Sequence, residues 1–104
     1  MFDDVCYLIS ENRTQDEAGV WRTEPTKEQA FCKIRSVGGR EFHYGGRNGL
    51  NPEYVVDIFH GNYDGQREIE IDGKTYSIYR HYRNGDYMEL YVERKGGTNG
   101  NKED

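Results

Sequence analysis

The sequence predicts an all-β fold, a small antiparallel β-barrel of six or seven strands with one long glycine-rich loop. Three observations carry this expectation. Apolar residues alternate with polar ones along most of the chain, and no convincing helical period competes with them. The alternating runs are separated by turn chemistry at short spacing, including Asp72-Gly73 and Asn84-Gly85. Nine tyrosines and four phenylalanines stand against two prolines, a composition that favours strands over disorder. A chain of 104 residues is too small for two full sheets, and closing one sheet removes edges that it could not otherwise protect. The expected organisation is a single barrel domain over residues 1–95, with residues 38–51 as the long loop. Residues 96–104 contain no apolar side chain and form an expected disordered tail.

Taken in order, Val5, Tyr7 and Ile9 alternate with Cys6, Leu8 and Ser10, a first strand with much of both faces covered. Asp16 to Gly19 is acidic and flexible, and Val20, Trp21 and Thr23 resume strand chemistry, so a hairpin is expected there, closed at Pro25. From Gln29 a further strand places Ala30, Cys32 and Ile34 on one side and Phe31, Lys33 and Arg35 on a wetter one. After the loop, Tyr54, Val56 and Ile58 alternate with Val55, Asp57 and Phe59, until "GNYDGQ" breaks the run. The two hairpin signals at 72–73 and 84–85 then define a three-stranded meander. In its last strand Met88, Leu90 and Val92 form a core face, and Tyr87, Glu89, Tyr91 and Glu93 an amphipathic outer face.

The formal charge of −5 argues against a protein that coats itself in DNA, while leaving room for a local cationic patch. No run approaches the ~18 apolar residues of a membrane span, and acids occupy the N-terminal positions where a secretory signal carries positive charge, so a cytosolic protein is expected. Cys6 and Cys32 stand far apart, and His43, His60 and His81 are scattered, without the spacing of a zinc site. Two reduced, core-facing thiols and no cofactor are the expectation. Acids fall in turns or on alternating strand faces, with no nucleophile beside a base, which argues against an enzyme.

The loop is the chemically richest segment. Gly38, Gly39, Gly45, Gly46 and Gly49 free the backbone, while Arg40, His43, Tyr44 and Arg47 bring groups able to meet phosphate or carboxylate, among Glu41, Phe42 and Asn48. The alternative is a segment that merely covers the barrel mouth. Arg80, His81 and Arg83 lie near the second hairpin turn and are candidates for subunit or phosphate contacts, or a solvated hairpin end. Glu68, Glu70, Glu89 and Glu93 can line one acidic exterior or lumen face, or simply keep the outside soluble.

The order "RTQDEAGVWRTE", then "FCKIRSVGGREFHYGGRNGLNPEYVVDIFHG", then "IDGKTYSIYRHYRNGDYMELYVERK" resembles the head closure (stopper, or head-tail joining) proteins of tailed bacteriophages, across roughly residues 4–95. The most specific parts are the "SVGGREF" step at residues 36–42 and the pairing of "DGKTYSIYR" with a final aromatic-rich strand. The resemblance implies a small barrel with a long loop that self-associates into a dodecameric ring on the portal-adaptor platform. Such a ring retains packaged DNA in its channel and docks the tail through a completion or terminator protein. It implies a virion head-tail location, reached from the host cytoplasm, and no enzymatic activity. Residues 38–51 correspond by position to the family's long loop, which makes that segment a gate or docking element. A thin polar barrel is expected to be monomeric when isolated and to form its ring only on the platform. A neighbouring connector ring of similar fold stays open as a reading, as does a small nucleic-acid-binding barrel stacking bases on Tyr76, Tyr79, Tyr82, Tyr87 and Tyr91.

Overall fold

Six strands pair antiparallel around a closed circuit in the computed structural model, which describes residues 3–95. They are β1 (Asp4–Gln15), β2 (Trp21–Ser36), β3 (Pro52–Phe59), β4 (Glu68–Ile71), β5 (Lys74–Asn84) and β6 (Tyr87–Arg94). Their order around the barrel is β1-β2-β3-β6-β5-β4, with β4 returning to β1. The expected disordered tail at 96–104 lies outside the described residues.

Alternation fixes which residues face inward. Cys6 and Leu8 of β1, Ala30 and Cys32 of β2, Val56 and Ile58 of β3, Ile69 and Ile71 of β4, Tyr76 of β5, and Leu90 and Val92 of β6 make one core, with Ile34, Tyr54, Ile78 and Met88 packed at its margins. The barrel interior is therefore filled by side chains rather than hollow. Cys6 and Cys32 are free thiols inside it. Their mutual hydrogen bond and burial push the Cys32 thiol up. β1 departs from the expectation of two covered faces. Only the Cys6–Leu8 face is buried, and Val5 and Tyr7 stay exposed on the outside.

The meander forms as expected, with one adjustment. Asp72 and Gly73 both adopt positive φ (52° and 78°), the pattern of a type I′ turn. In the second hairpin Asn84 pairs with Tyr87, so the two turn residues are Gly85 and Asp86. Among them only Gly85 has positive φ (64°), which is the type II′ pattern.

Two larger differences concern β2 and the loop. Pro25 does not close a short hairpin: β2 runs through it without interruption, and Pro25 lies opposite Glu11. The reason lies in the alternation of hydrogen-bonded pairs. The Asp16 N–H donates to the Val20 carbonyl, so even-numbered β1 residues make the bonded pairs, and Glu11 with Pro25 is a non-bonded pair. Pro25 thus directs its missing N–H away from β1 and costs that ladder nothing. β1 reaches β4 only at Tyr7–Ile9, and β2 reaches β3 only from Cys32 on. The rest of the β1–β2 pair projects as a two-stranded arm, exposed on both faces, with Trp21 57% exposed near its tip. The second difference is the glycine-rich segment, which contains a helix, α1 (Gly39–Arg47), rather than an irregular loop.

Candidate functional site

Three of the nine residues of α1 are glycine, each costing a helix about 1 kcal/mol relative to alanine. Its C-terminal cap and its tertiary contacts compensate. At the C-terminus Gly49 adopts φ 75°, the Leu50 N–H donates to the Gly45 carbonyl (2.7 Å) and the Gly49 N–H to the Gly46 carbonyl (3.3 Å), the two bonds of a Schellman cap. Asn48 at the C-cap adds a side-chain bond to the Tyr44 carbonyl, 2.8 Å. Gly45 packs against β3 so closely that a Cβ there would lie 2.2 Å from Cγ of Pro52.

The third anchor is Glu41. Its carboxylate accepts from the Tyr79 hydroxyl (2.8 Å) and from the Arg80 guanidinium (2.6 Å). Neighbouring strand residues normally point to opposite faces, but here the β5–β6 register shifts between Ile78 and Arg80, leaving Tyr79 as the extra residue of a β-bulge. The bulge turns both side chains toward one carboxylate. Burial, reinforced by the Glu41 hydrogen bond, pushes the Tyr79 phenol up and keeps it a donor. The Arg80 guanidinium also lies over the rings of Tyr91 (4.4 Å) and Tyr44 (5.4 Å), tying the helix to the outer wall.

With Glu41 and Gly45 turned to the barrel, the adjoining side of α1 carries Arg40, His43, Tyr44, Arg47 and Asn48. These lie at positions i, i+3, i+4, i+7 and i+8, one stripe of a helix, and line an open depression. Arg40 and Arg47 have no ion-pair partner among the described residues. The result is a cationic, aromatic face on a protein of net charge −5. The helix brings together the four side chains that the sequence singles out for phosphate or carboxylate contact. Phe42 stands beside His43, 57% exposed, and Gly38, Gly39 and Gly46 have open space where a Cβ would be.

The other candidates are dispersed. The bulge reverses the alternation of β5, so Arg80 belongs to the α1 anchor, while His81 lies opposite Leu90 and meets the Tyr63 ring at 5.2 Å. Arg83 contacts His60 at 3.3 Å and the Gly85 carbonyl at 2.9 Å. The three do not form one site. The four glutamates lie on the barrel exterior without forming a bare acidic wall. Glu68 pairs with Lys95, Glu70 with Lys27 (2.6 Å), and Glu93 accepts from the Asn51 N–H (2.9 Å). Glu89 sits opposite Asp57 across β3 and β6, a repulsive arrangement that Arg35 relieves by binding Asp57 bidentately (2.8 and 3.1 Å) and reaching Glu89 at 3.4 Å. The five tyrosines proposed for stacking are likewise divided: Tyr76 is in the core, Tyr79 and Tyr91 serve the α1 anchor, and Tyr82 and Tyr87 are exposed.

Among the described residues no group of three His, Cys, Asp or Glu side chains is placed to hold a metal ion, and no helix is long and apolar enough to cross a membrane. Sequence inspection missed the arm and the helix. Asn48-Gly49 is a helix-stop signal that could have revealed α1. No family model matches the chain, and no curated protein matches it.

Proposed function

We propose that this protein acts by assembly, as a head closure (stopper) protein of a tailed bacteriophage or prophage. In this reading it forms a ring under the portal and adaptor, retains packaged DNA and presents a surface to the tail. The observation that carries the reading is the stripe of Arg40, His43, Tyr44 and Arg47 on α1, a segment inserted between two barrel strands and anchored to the wall by Glu41. Guanidinium groups on a short anchored helix suit sequence-independent contact with phosphates, the contact a DNA-retaining element requires. The barrel supplies a rigid platform, and the exposed Phe31, Phe59 and Tyr87 supply side chains of the kind that dominate docking surfaces.

Deletion of the gene from the phage or prophage that carries it tests this function. Electron microscopy is expected to show tailless heads that have lost their DNA beside free, finished tails. Normal tailed, DNA-filled particles would overturn the reading and favour a nucleic-acid-binding barrel that uses the same α1 face.

A further inference from the structure

The projecting arm has two open backbone edges, and they are built differently. Even-numbered residues of β1 and β2 bond to each other, as the Asp16 to Val20 bond fixes, so the odd-numbered residues turn their N–H and C=O groups outward. On β1, Tyr7 and Ile9 spend theirs on Glu70 and Glu68 of β4. β4 begins at Glu68, so among the described residues the outward groups of Glu11, Arg13 and Gln15 have no neighbouring strand. On β2 the corresponding open edge contains Pro25, which has no N–H to offer, and Lys27, a charged residue of the kind that discourages strand addition. One edge is therefore blocked in its middle and the other is not.

The unblocked edge is complementary to itself. In an antiparallel pairing of two β1 edges, three two-fold registers set the charged residues Glu11 and Arg13 opposite themselves or each other. Centring on Glu11 opposes Glu11 to its own copy, and centring on Arg13 does the same for Arg13, both like-charge contacts. Centring on Asn12 opposes Glu11 of each copy to Arg13 of the other, so both contacts are attractive and both lie on one face. We propose that two copies of this chain pair edge to edge through residues 10–14 of β1 in the register centred on Asn12, joining two two-stranded arms into one four-stranded antiparallel sheet. A two-stranded ribbon with both faces in water is marginal alone, and added strands are what stabilise it.

The surroundings of the edge fit this partner. Where β4 leaves β1, a depression bounded by Ile9, Glu11, Asp64 and Gln66 adjoins the edge. In the Asn12-centred register Thr14 of one copy lies opposite Ser10 of the other, and pairing stops there because Ile9 is already held by Glu68, so the chain from Gln15 on leaves the edge beside this depression. Arg13 already holds its place on the same face, its guanidinium 5.2 Å from the Trp21 ring centroid. The interface is isologous and small, and the pairing is correspondingly weak. It replaces the expectation of an isolated monomer with a weak dimer, and it holds or fails independently of the head closure reading, because it concerns the free protein.

Sedimentation of the full chain across a concentration series tests the pairing. Wild type is expected to populate a dimer, and Arg13→Glu or Glu11→Arg to weaken it by roughly tenfold or more, since each replaces two attractive contacts by two repulsive ones. The double variant Glu11→Arg/Arg13→Glu restores the pairing, and an equimolar mixture of the two single variants forms a heterodimer. Those two rescues distinguish the register from mere damage to the arm, and unchanged circular dichroism confirms that each variant folds. A wild-type chain that stays monomeric throughout the series, a dimer indifferent to the charge reversals, or a larger head-to-tail oligomer would overturn the proposal.

Discussion

The two halves of the β1–β2 ladder share one hydrogen-bond geometry and differ in what burial adds to it. Toward the barrel, Cys6 and Leu8 face Ala30 and Cys32 in a closed core where Leu8 has no exposed surface. Burying such a side chain contributes about 1.5–3 kcal/mol. Toward the tip, the same strands carry Ser10, Asn12 and Thr14 against Thr26, Glu24 and Arg22, with water on both sides. What holds the arm is local: Asp16 Oδ1 accepts from the N–H groups of Ala18 and Val20 (both 2.9 Å), Gly19 adopts φ 84°, and the Asn12 amide donates to the Thr26 hydroxyl (2.7 Å). Hydrogen bonding can extend a β-ribbon into solvent, but burial makes one part of it the foundation of the fold.

The largest expected effect tests that contrast directly. Leu8→Ala removes core packing and is expected to cost about 2–5 kcal/mol of unfolding free energy, whereas Thr23→Ala on the arm stays within about 0.5 kcal/mol. Denaturant titration of both variants measures the difference, and equal losses would break the comparison.

A second contrast lies within α1. Gly45→Ala drives a Cβ into the Pro52 ring and is expected to destabilise by about 1–3 kcal/mol. Gly46→Ala meets open space and gains up to about 1 kcal/mol from helix propensity. Opposite signs in thermal melts of the two variants support the packing of Gly45 against β3, and matching signs refute it.

Glu41→Ala is expected to act more locally. It frees Tyr79 and Arg80 and costs about 1–3 kcal/mol at the anchor, read as faster amide exchange across Phe42–Arg47 while exchange in β6 is unchanged. Uniform acceleration over the whole chain would mean that α1 is not a separately opening unit.

The smallest effect is electrostatic. Burial raises the Glu89 carboxyl, but hydrogen bonds from Tyr91 and Asn84 and the charges of Arg35 and Arg80 outweigh it and hold the group below the usual carboxylate range. A folded-state value below the unfolded one, near about 4.3, gives stabilisation that is complete above that pH and lost as pH falls through the lowered value. Wild type should therefore lose more stability than Glu89→Gln on acidification from about pH 7 to about pH 3. Parallel pH profiles would mean that Tyr91, Asn84, Arg35 and Arg80 together do not hold Glu89 below its unfolded value.

Much of the barrel was legible because its signals are local. The alternation of Met88, Leu90 and Val92 with Glu89 and Tyr91, and the Asp72-Gly73 turn, each state their own geometry within a few residues. Pro25 misled for the opposite reason: a proline ends a strand only if its missing donor faces the neighbouring strand, and that depends on the pairing phase set at Asp16. α1 was obscured because its stabilising partners, Tyr79, Arg80 and Pro52, are distant in sequence or lie beyond the helix. The composition of the site was readable from residues 38–51, but its arrangement was not. A helix was needed to put Arg40, His43, Tyr44 and Arg47 on one side, and nothing local announces the bulge at Tyr79 that turns Arg80 outward to the helix and His81 and Arg83 the other way.

The unbroken register from Asp4 opposite Cys32 to Gln15 opposite Trp21 also has a mechanical consequence. Twelve paired positions at strand rise make a lever of roughly 40 Å, in a molecule whose longest dimension is 51 Å. No bulge interrupts it, so there is no hinge to absorb bending between tip and wall. Torque applied at Trp21 is borne by Cys6, Leu8, Ala30 and Cys32, and whatever grips the arm thereby has a hold on the centre of the barrel.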